Sequence, residues 1–170
     1  LISTAERRLL ITGEEKTSIR MADFLGVIAA INGKVELVYE GEQEGAEQIA
    51  FHLINQAVKT LFPSFFTGIK KLEKQDEDGP YARLLGWFYG DNELFLEDGL
   101  SEDVYKDTLD AVPNLNTLVA THQPKSAPED TYFLMEFLLW GLEANKRLNK
   151  YRTLEGFQFK DGLGNLLAGL

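Results

Sequence analysis

The amphipathic stretch from Ala46 to Phe62 constrains the fold of this chain more than any other part of the sequence. Its apolar residues recur every three or four positions, the spacing that places side chains on one face of an α-helix. They are Ile49, Ala50, Leu53, Ile54, Ala57, Val58, Leu61 and Phe62. Because proline lacks the backbone N–H group, we expect this helix to end at Pro63. One apolar face needs other elements to cover it, so the sequence predicts a packed helical domain.

Further segments carry helical spacing or the residues that begin and end helices. They are Ser3–Thr12, Met21–Ile31, Ser101 to about Val112, a short helix starting at Pro113, and a long helix from Ser126 to about Leu148. Ser101 is typical of a helix N-cap, because Glu102 and Asp103 follow it in the first turn, where the helix dipole favours acidic residues. Pro128 similarly favours the first turn of the last helix.

Extended structure is predicted in only two short places. Residues 34–39 alternate between polar and apolar side chains, and Glu93–Leu96 reads as an extended segment. The segment Tyr151–Leu170 is punctuated by glycine, and we expect it to be a tail that docks on the body through apolar side chains. These are Phe157, Phe159, Leu163, Leu166 and Leu167. The sequence therefore predicts a mainly α fold with at most one or two short strands.

An acidic loop is predicted at residues 40–45, between the short strand and the amphipathic helix. The candidate interaction residues in and beside it are Glu40, Glu42, Glu44 and Glu47. Their carboxylates could hold a hard cation or contact a basic partner, although a solvated acidic loop is the favoured interpretation. The spacing differs from that of an EF-hand, so no metal site is predicted here.

Composition narrows the classes of function. The chain has 17 basic and 27 acidic residues and a net charge of −10, so nucleic acid is not expected as a partner. It contains no cysteine, which excludes disulfides, thiolate zinc sites and cysteine nucleophiles and is consistent with a cytoplasmic protein. The longest apolar run, Tyr132–Leu142, is interrupted by Glu136 and is shorter than the about 20 residues of a membrane span. No membrane span is therefore predicted.

No catalytic site emerges from the motifs. The phosphate-binding pattern G-x-x-x-x-G-K-[ST] is absent, and the chain has only two histidines. We expect His52 at the surface of its helix and His122 in a loop, so neither predicts a triad or a zinc site. The chain is therefore predicted to have no catalytic, cofactor-binding or metal-binding residue.

Glu136 is the one candidate carboxylate outside the acidic loop. It lies in a segment that is apolar nearly all round, so we expect it to be partly buried. The favoured interpretation is a glutamate that faces a groove or pairs with Lys146 or Lys150. Arg7, Arg8 and Arg20 resemble nucleotide-sensing arginines only in residue type, and we expect them to be surface arginines.

One long segment carries a family resemblance. It reads Ala30-Ile-Asn-Gly-Lys-Val-Glu-Leu-Val-Tyr-Glu-Gly-Glu-Gln-Glu-Gly45, and the amphipathic helix follows it. This part resembles a bacterial AAA+ ATPase family, the magnesium chelatase subunit I-like or MoxR-like proteins. Residues 137–150 and 159–164 are similar to the closing segments of that family. Residues 142–146 lack the histidine that the family often carries there, so no metal role is transferred to them.

The resemblance implies a position within a larger machine. Residues 1–33 would be part of the AAA+ lid and residues 34–170 a C-terminal helical domain, so the full expected fold is a bundle-like lid joined to that domain. The nucleotide-binding residues would lie before Leu1. ATP and magnesium would be cofactors of the parent protein, its core and neighbouring subunits would be partners in a hexamer, and a von Willebrand A domain protein would be a further partner. We then expect Leu1, Ile2 and Ala5 to expose apolar surface.

Three functional hypotheses follow from the sequence. The first is a non-catalytic module that relays nucleotide-driven movement and contacts subunits or a client. The second is a free-standing acidic helical adaptor. The third, which has least support, is a carboxylate-based metal enzyme that uses the loop from Glu40 to Glu47.

Overall fold

The computed structural model describes residues 2–27, 39–69 and 79–161, with side chains from residue 48 onward in the second range. Six α-helices lie in these ranges: α1 (Ile2–Thr12), α2 (Tyr39–Phe65), α3 (Ala82–Tyr89), α4 (Glu102–Asp110), α5 (Leu115–His122) and α6 (Thr131–Ala144). Short 3₁₀ helices occupy Met21–Leu25 and Pro128–Asp130. The strands are β1 (Leu94–Glu97), β2 (Leu148–Arg152) and β3 (Gly156–Asp161). The mainly α prediction is confirmed.

Helix α6 is the centre of the fold. All residues from Leu134 to Leu142 are buried, and α2, α4, α5 and β2 pack around the helix. Because it is apolar on nearly every side, with Glu136 as the exception, other elements can surround it, as they do a helix in the core of a domain. Within the described ranges, no helix is both long and apolar enough to cross a membrane.

The strands form one antiparallel sheet in the order β1-β3-β2. Leu96 pairs with Phe157 and Lys150 with Phe159, which turns both phenylalanines into the core. The predicted limit of two strands is wrong, because the expected tail is a β2–β3 hairpin. Docking through Phe157 and Phe159 is confirmed, and Leu163, Leu166 and Leu167 lie outside the described residues.

Helix α2 is longer at both ends than predicted. It begins at Tyr39, so the loop predicted at residues 40–45 is wrong, and residues 34–38 of the predicted strand lie outside the described ranges. Glycine weakens a helix by only about 1 kcal/mol, which the glutamates, glutamine and alanine around Gly41 and Gly45 can offset. At the other end Phe66 N–H still donates to Phe62 O at 2.9 Å beyond Pro63, because both phenylalanines are buried in the core.

Helix α6 begins at Thr131, after the 3₁₀ helix Pro128–Asp130, rather than at Ser126, and it ends four residues earlier than predicted. Lys146 adopts a left-handed backbone with φ of 58° and donates its N–H to Glu143 O at 2.7 Å. Arg147 N–H donates to Leu142 O at 2.8 Å. These two bonds form a Schellman motif, which normally uses glycine at the left-handed position. A lysine there gives the sequence no signal that the helix ends.

The other predicted helices are confirmed, with small differences. Helices α1, α4 and α5 and strand β1 lie where the patterns placed them, and the Ser101 hydroxyl accepts a hydrogen bond from Val104 N–H. The predicted helix Met21–Ile31 begins as the 3₁₀ helix Met21–Leu25 and continues helically at residues 26 and 27. Its remaining residues lie outside the described ranges.

Candidate functional site

A cluster of buried charged side chains lies between α1, the 3₁₀ helix Met21–Leu25 and the body of the protein. Among the described residues, the charged side chains that are buried are Arg8, Arg20, Asp23 and Glu136. Burying a charge is costly unless it is paired, so each of these groups needs a structural explanation.

Arg8 and Asp23 form the tightest ion pair of the cluster. The two terminal nitrogens of Arg8 donate to the two carboxylate oxygens of Asp23 at 2.7 and 3.0 Å. Arg8 also donates to Ser18 O at 2.6 Å and to the Thr17 hydroxyl at 3.3 Å. Asp23 in turn accepts from Arg20 N–H at 2.8 Å. Both charges are therefore compensated, and the pair joins α1 to the 3₁₀ helix.

Arg20 is less completely paired. Its guanidinium carbon lies 4.1 Å from the centre of the Tyr105 ring, a cation–π contact, and its nearest carboxylate oxygen, on Glu102, is 3.6 Å away. All three guanidinium nitrogens are buried without a hydrogen-bond acceptor among the described residues. Burial, together with the nearby charge of Arg8, lowers the pKa of Arg20.

Glu136 connects the cluster to the centre of α6. Its carboxylate accepts hydrogen bonds from Met21 N–H at 2.9 Å and from the Tyr105 hydroxyl at 2.8 Å. Burial raises the pKa of Glu136, because it outweighs the opposing effect of these two bonds. Burial and the Glu136 carboxylate also raise the pKa of Tyr105. One carboxylate thus holds both the 3₁₀ helix and α4.

Glu102, at the start of α4, lies on the solvent side of this cluster of charged side chains. Its carboxylate accepts from the backbone N–H and the hydroxyl of Ser18, both at 3.1 Å, and pairs with Lys106 at 3.3 Å. Burial acts to raise the pKa of Glu102, but the hydrogen bonds from Ser18 and Lys106 outweigh it and the pKa is lowered. Glu14 caps the same helix by accepting Glu102 N–H at 2.7 Å.

The predicted site residues are not brought together. Glu136 is buried, but its predicted pairing with Lys146 or Lys150 is wrong, since among the described residues it bonds Met21 and Tyr105, and Lys150 pairs with Glu143 at 2.9 Å. Glu40, Glu42, Glu44 and Glu47 lie on the backbone of α2, and their side chains are outside the described residues.

The arginine prediction is partly wrong. Arg7 is exposed as expected, whereas Arg8 and Arg20 are 5 and 2% exposed. The burial of Arg8 could have been predicted from helical spacing, because Arg8 shares one face of α1 with Ala5 and Thr12. Arg20 has no such signal, because its partners Glu102 and Tyr105 come from α4, more than 80 residues along the chain.

The two histidines lie in different surroundings. His52 is exposed, as expected. His122 is the last residue of α5 rather than part of a loop, and its ring stacks on Tyr81 and lies beside Phe66, at centroid distances of 5.9 and 5.6 Å. Among the described residues, no group of three or more histidine, aspartate or glutamate side chains is arranged to hold a metal ion.

The cluster therefore works as a fixed joint, in which buried hydrogen bonds orient α1 and the 3₁₀ helix on the body. Comparisons of the chain with models of protein families, with curated proteins and with solved structures find no match.

Proposed function

We propose that the chain is the non-catalytic C-terminal module of an AAA+ ATPase of the magnesium chelatase subunit I-like or MoxR-like type. In this role it relays nucleotide-driven movement from the ATPase core to subunits or a client, for which a von Willebrand A domain protein is the proposed type. ATP and magnesium belong to the core, and the module itself hydrolyses nothing. The sequence resemblance between residues 30 and 45 supports this assignment.

The observation that carries the proposal is the uncovered outer side of α1. Ile2 is 71% exposed and Leu10 81% exposed, while Ala5 and Arg8, which face the body, are buried. The expectation of an exposed apolar surface is thus met at Ile2 and wrong at Ala5, and Leu1 lies outside the described residues. Ile2, Leu10 and Ile11 together leave apolar surface on one helix, which the proposed core would cover, whereas Leu154 is a single leucine in a turn.

The buried cluster supports the relay role. Helix α1 carries the proposed contact surface, and the pair of Arg8 with Asp23 ties it to the 3₁₀ helix. The 3₁₀ helix is in turn bonded to α6 through Glu136. A movement applied to α1 would therefore pass to the centre of the body through short, directional bonds.

Binding between the chain and its proposed core tests this role. The codons upstream of Leu1 should encode G-x-x-x-x-G-K-[ST], and the expressed core should bind the 170-residue chain and form a hexamer with it in sedimentation experiments. Leu10→Glu should abolish this binding, because it places a charge in an apolar contact. Leu154→Glu, at a fully exposed leucine in the β2–β3 turn, is the matched control and should bind normally. ATP hydrolysis by the 170-residue chain, or equal loss of binding in both variants, would contradict the proposal.

A second candidate is a free-standing adaptor, which a specific apolar groove favours. The groove has a volume of about 190 Å³ and lies between α2, α6 and the 3₁₀ helix, with Leu61, Phe65 and Phe133 in its walls. Leu61 is 51% exposed although it belongs to the predicted apolar face of α2. Under this alternative the upstream codons encode no nucleotide-binding motif, and Leu61→Glu rather than Leu10→Glu abolishes partner binding.

A further inference from the structure

A cleft with a volume of about 510 Å³ lies between α1 and the turn that follows β1. One wall is a single face of α1, because Thr4, Arg7, Arg8 and Ile11 follow the i, i+3, i+4, i+7 spacing of a helix. The opposite wall contains Asp98 from the end of β1 and Arg152 from the end of β2. The 3₁₀ helix contributes Asp23 and Leu25 to the floor.

The lining of this cleft has one more positive than negative side chain. Three arginines line it against two aspartates, in a chain whose net charge is −10. Each aspartate is already neutralised: Asp23 by the bidentate pair with Arg8, and Asp98 by Arg152, whose two terminal nitrogens donate to it at 3.0 and 2.6 Å. Arg7 is exposed, and no carboxylate among the described residues forms an ion pair with it.

The pair of Arg152 with Asp98 leaves Arg152 able to donate further hydrogen bonds to a ligand in the cleft. A bidentate pair uses one N–H on each terminal nitrogen of Arg152 and leaves its other donors unused. The guanidinium of Arg152 is further held over the Phe157 ring, with its central carbon 4.8 Å from the ring centre. Because it is already oriented, this arginine would lose little freedom on binding a carboxylate.

Apolar surface lies directly beside these charges. Ile11 is 67% exposed and stands one helical turn from Arg7, and Leu25 lies on the floor. A ligand that matches the cleft therefore carries single negative charges next to an apolar group. A polyphosphate fits less well, because it has no apolar group to cover Ile11 and Leu25. A second copy of the chain is disfavoured by the repulsion between two charges of −10.

We propose that this cleft binds an acidic peptide segment of a partner protein. Carboxylates of the segment pair with Arg7 and Arg152, and an apolar side chain beside them packs on Ile11 and Leu25. Ile2 and Leu10 do not line the cleft, and the assay below uses the 170-residue chain alone. Binding here therefore requires no ATPase core, and its success or failure is independent of the proposed attachment.

Peptide binding by the 170-residue chain tests the site. The probe is a fluorescein-labelled nine-residue peptide of alternating glutamate and leucine, measured by fluorescence anisotropy at low salt. It should bind, and Arg7→Ala should weaken binding roughly tenfold, because it removes a charge-assisted hydrogen bond. Arg83→Ala, at an exposed arginine of α3 outside the cleft, is the matched control and should leave the affinity unchanged.

Two further probes separate the alternatives. A peptide of alternating glutamate and serine should bind more weakly than the leucine peptide, and Ile11→Ser should reduce that difference. Absence of peptide binding, or equal binding by the Arg7→Ala variant, would overturn the proposal. Tight binding of inorganic tripolyphosphate that is lost in Arg7→Ala, without peptide binding, would identify a phosphate site and also overturn it. Dimers in sedimentation that dissolve in Arg7→Ala would assign the cleft to a second copy instead.

Discussion

Two contacts with α6 are built on opposite principles. Where α2 crosses α6, the Phe62 ring lies directly on Gly141 and packs against the rings of Phe66 and Phe137. Where the 3₁₀ helix meets α6, the contact depends on Glu136 and the charges around it, with Met21 and Phe24 as apolar neighbours. The first contact depends on the complementary shapes of Phe62 and Gly141. The second depends on directional hydrogen bonds between buried polar groups.

The difference separates stability from specificity. Apolar burial stabilises a fold in proportion to the area removed from water, almost whatever the partner. Buried ion pairs contribute little net stability, but an unpaired buried charge is heavily penalised, so they allow few alternative arrangements. The α2–α6 crossing therefore holds the body together, and the charged joint selects one orientation for α1.

The largest expected effect is at the charged joint. Asp23→Ala should lower the free energy of unfolding by about 3–5 kcal/mol, because it leaves Arg8 buried without its counter-charge. Urea denaturation followed by circular dichroism measures this change. In contrast, the double variant Arg8→Met with Asp23→Leu should regain most of the loss. If the double variant is as unstable as Asp23→Ala, the ion pair of Arg8 and Asp23 is itself a source of stability and not only of specificity.

The next largest effect is at the apolar crossing. Gly141→Ala should destabilise the protein by about 2–3 kcal/mol, because the added methyl group overlaps the Phe62 ring and forces the helices apart. Gly86→Ala is the matched control, since a methyl group there meets no atom within 4 Å in the described structure. It should stabilise α3 by up to about 1 kcal/mol. Equal effects of the two alanines would show that α2 and α6 do not cross at Gly141.

A smaller loss is expected when one hydrogen bond of the joint is removed. Tyr105→Phe deletes the hydroxyl that donates to Glu136 and should cost about 1–2 kcal/mol in unfolding free energy. The comparison is Tyr132→Phe, whose hydroxyl donates to Asp110 at 2.8 Å at an exposed position. That variant should change stability by less than about 0.5 kcal/mol. Equal changes of the unfolding free energy in Tyr105→Phe and Tyr132→Phe would show that the buried hydrogen bond to Glu136 does not help to specify this contact.

A further effect is a dependence of stability on pH. Burial raises the pKa of Glu136 in the folded protein, so the folded state binds this proton more tightly than the unfolded state. The resulting stability is complete below the unfolded pKa and is lost as pH rises through the folded pKa, at about 1.4 kcal/mol per unit of difference.

Glu136→Gln isolates that dependence because it cannot titrate. The unfolding free energy of the wild type minus that of the variant should fall as pH is raised from about 4 towards neutrality. Urea denaturation at a series of pH values measures the difference. A difference that instead rises with pH would mean that the hydrogen bonds from Met21 and Tyr105 outweigh burial, and that Glu136 is a stabilising carboxylate.

Much of the fold could be predicted because apolar periodicity is a local property. The stripe of α2, the N-cap at Ser101 and the apolar run of α6 each carry their signal within a few turns of chain. The helix ends and the hairpin could not be predicted in the same way. The end of α6 depends on Lys146 in a left-handed conformation, and β2 and β3 form strands because they pair with each other and with β1.

The candidate site shows the same division more strongly. Glu136 could be singled out from sequence, because a carboxylate in an apolar run has little solvated surface to occupy. Its partners could not, since Met21 is 115 residues away and Tyr105 is 31 residues away along the chain. The sequence by itself determined most of the helical segments, although not α3 or the start of α2, and that Glu136 loses solvent, because apolar side chains leave water whatever they pack against. Only the tertiary structure decided which charges meet, because an ion pair requires two particular atoms within a few ångströms and no local pattern encodes that distance.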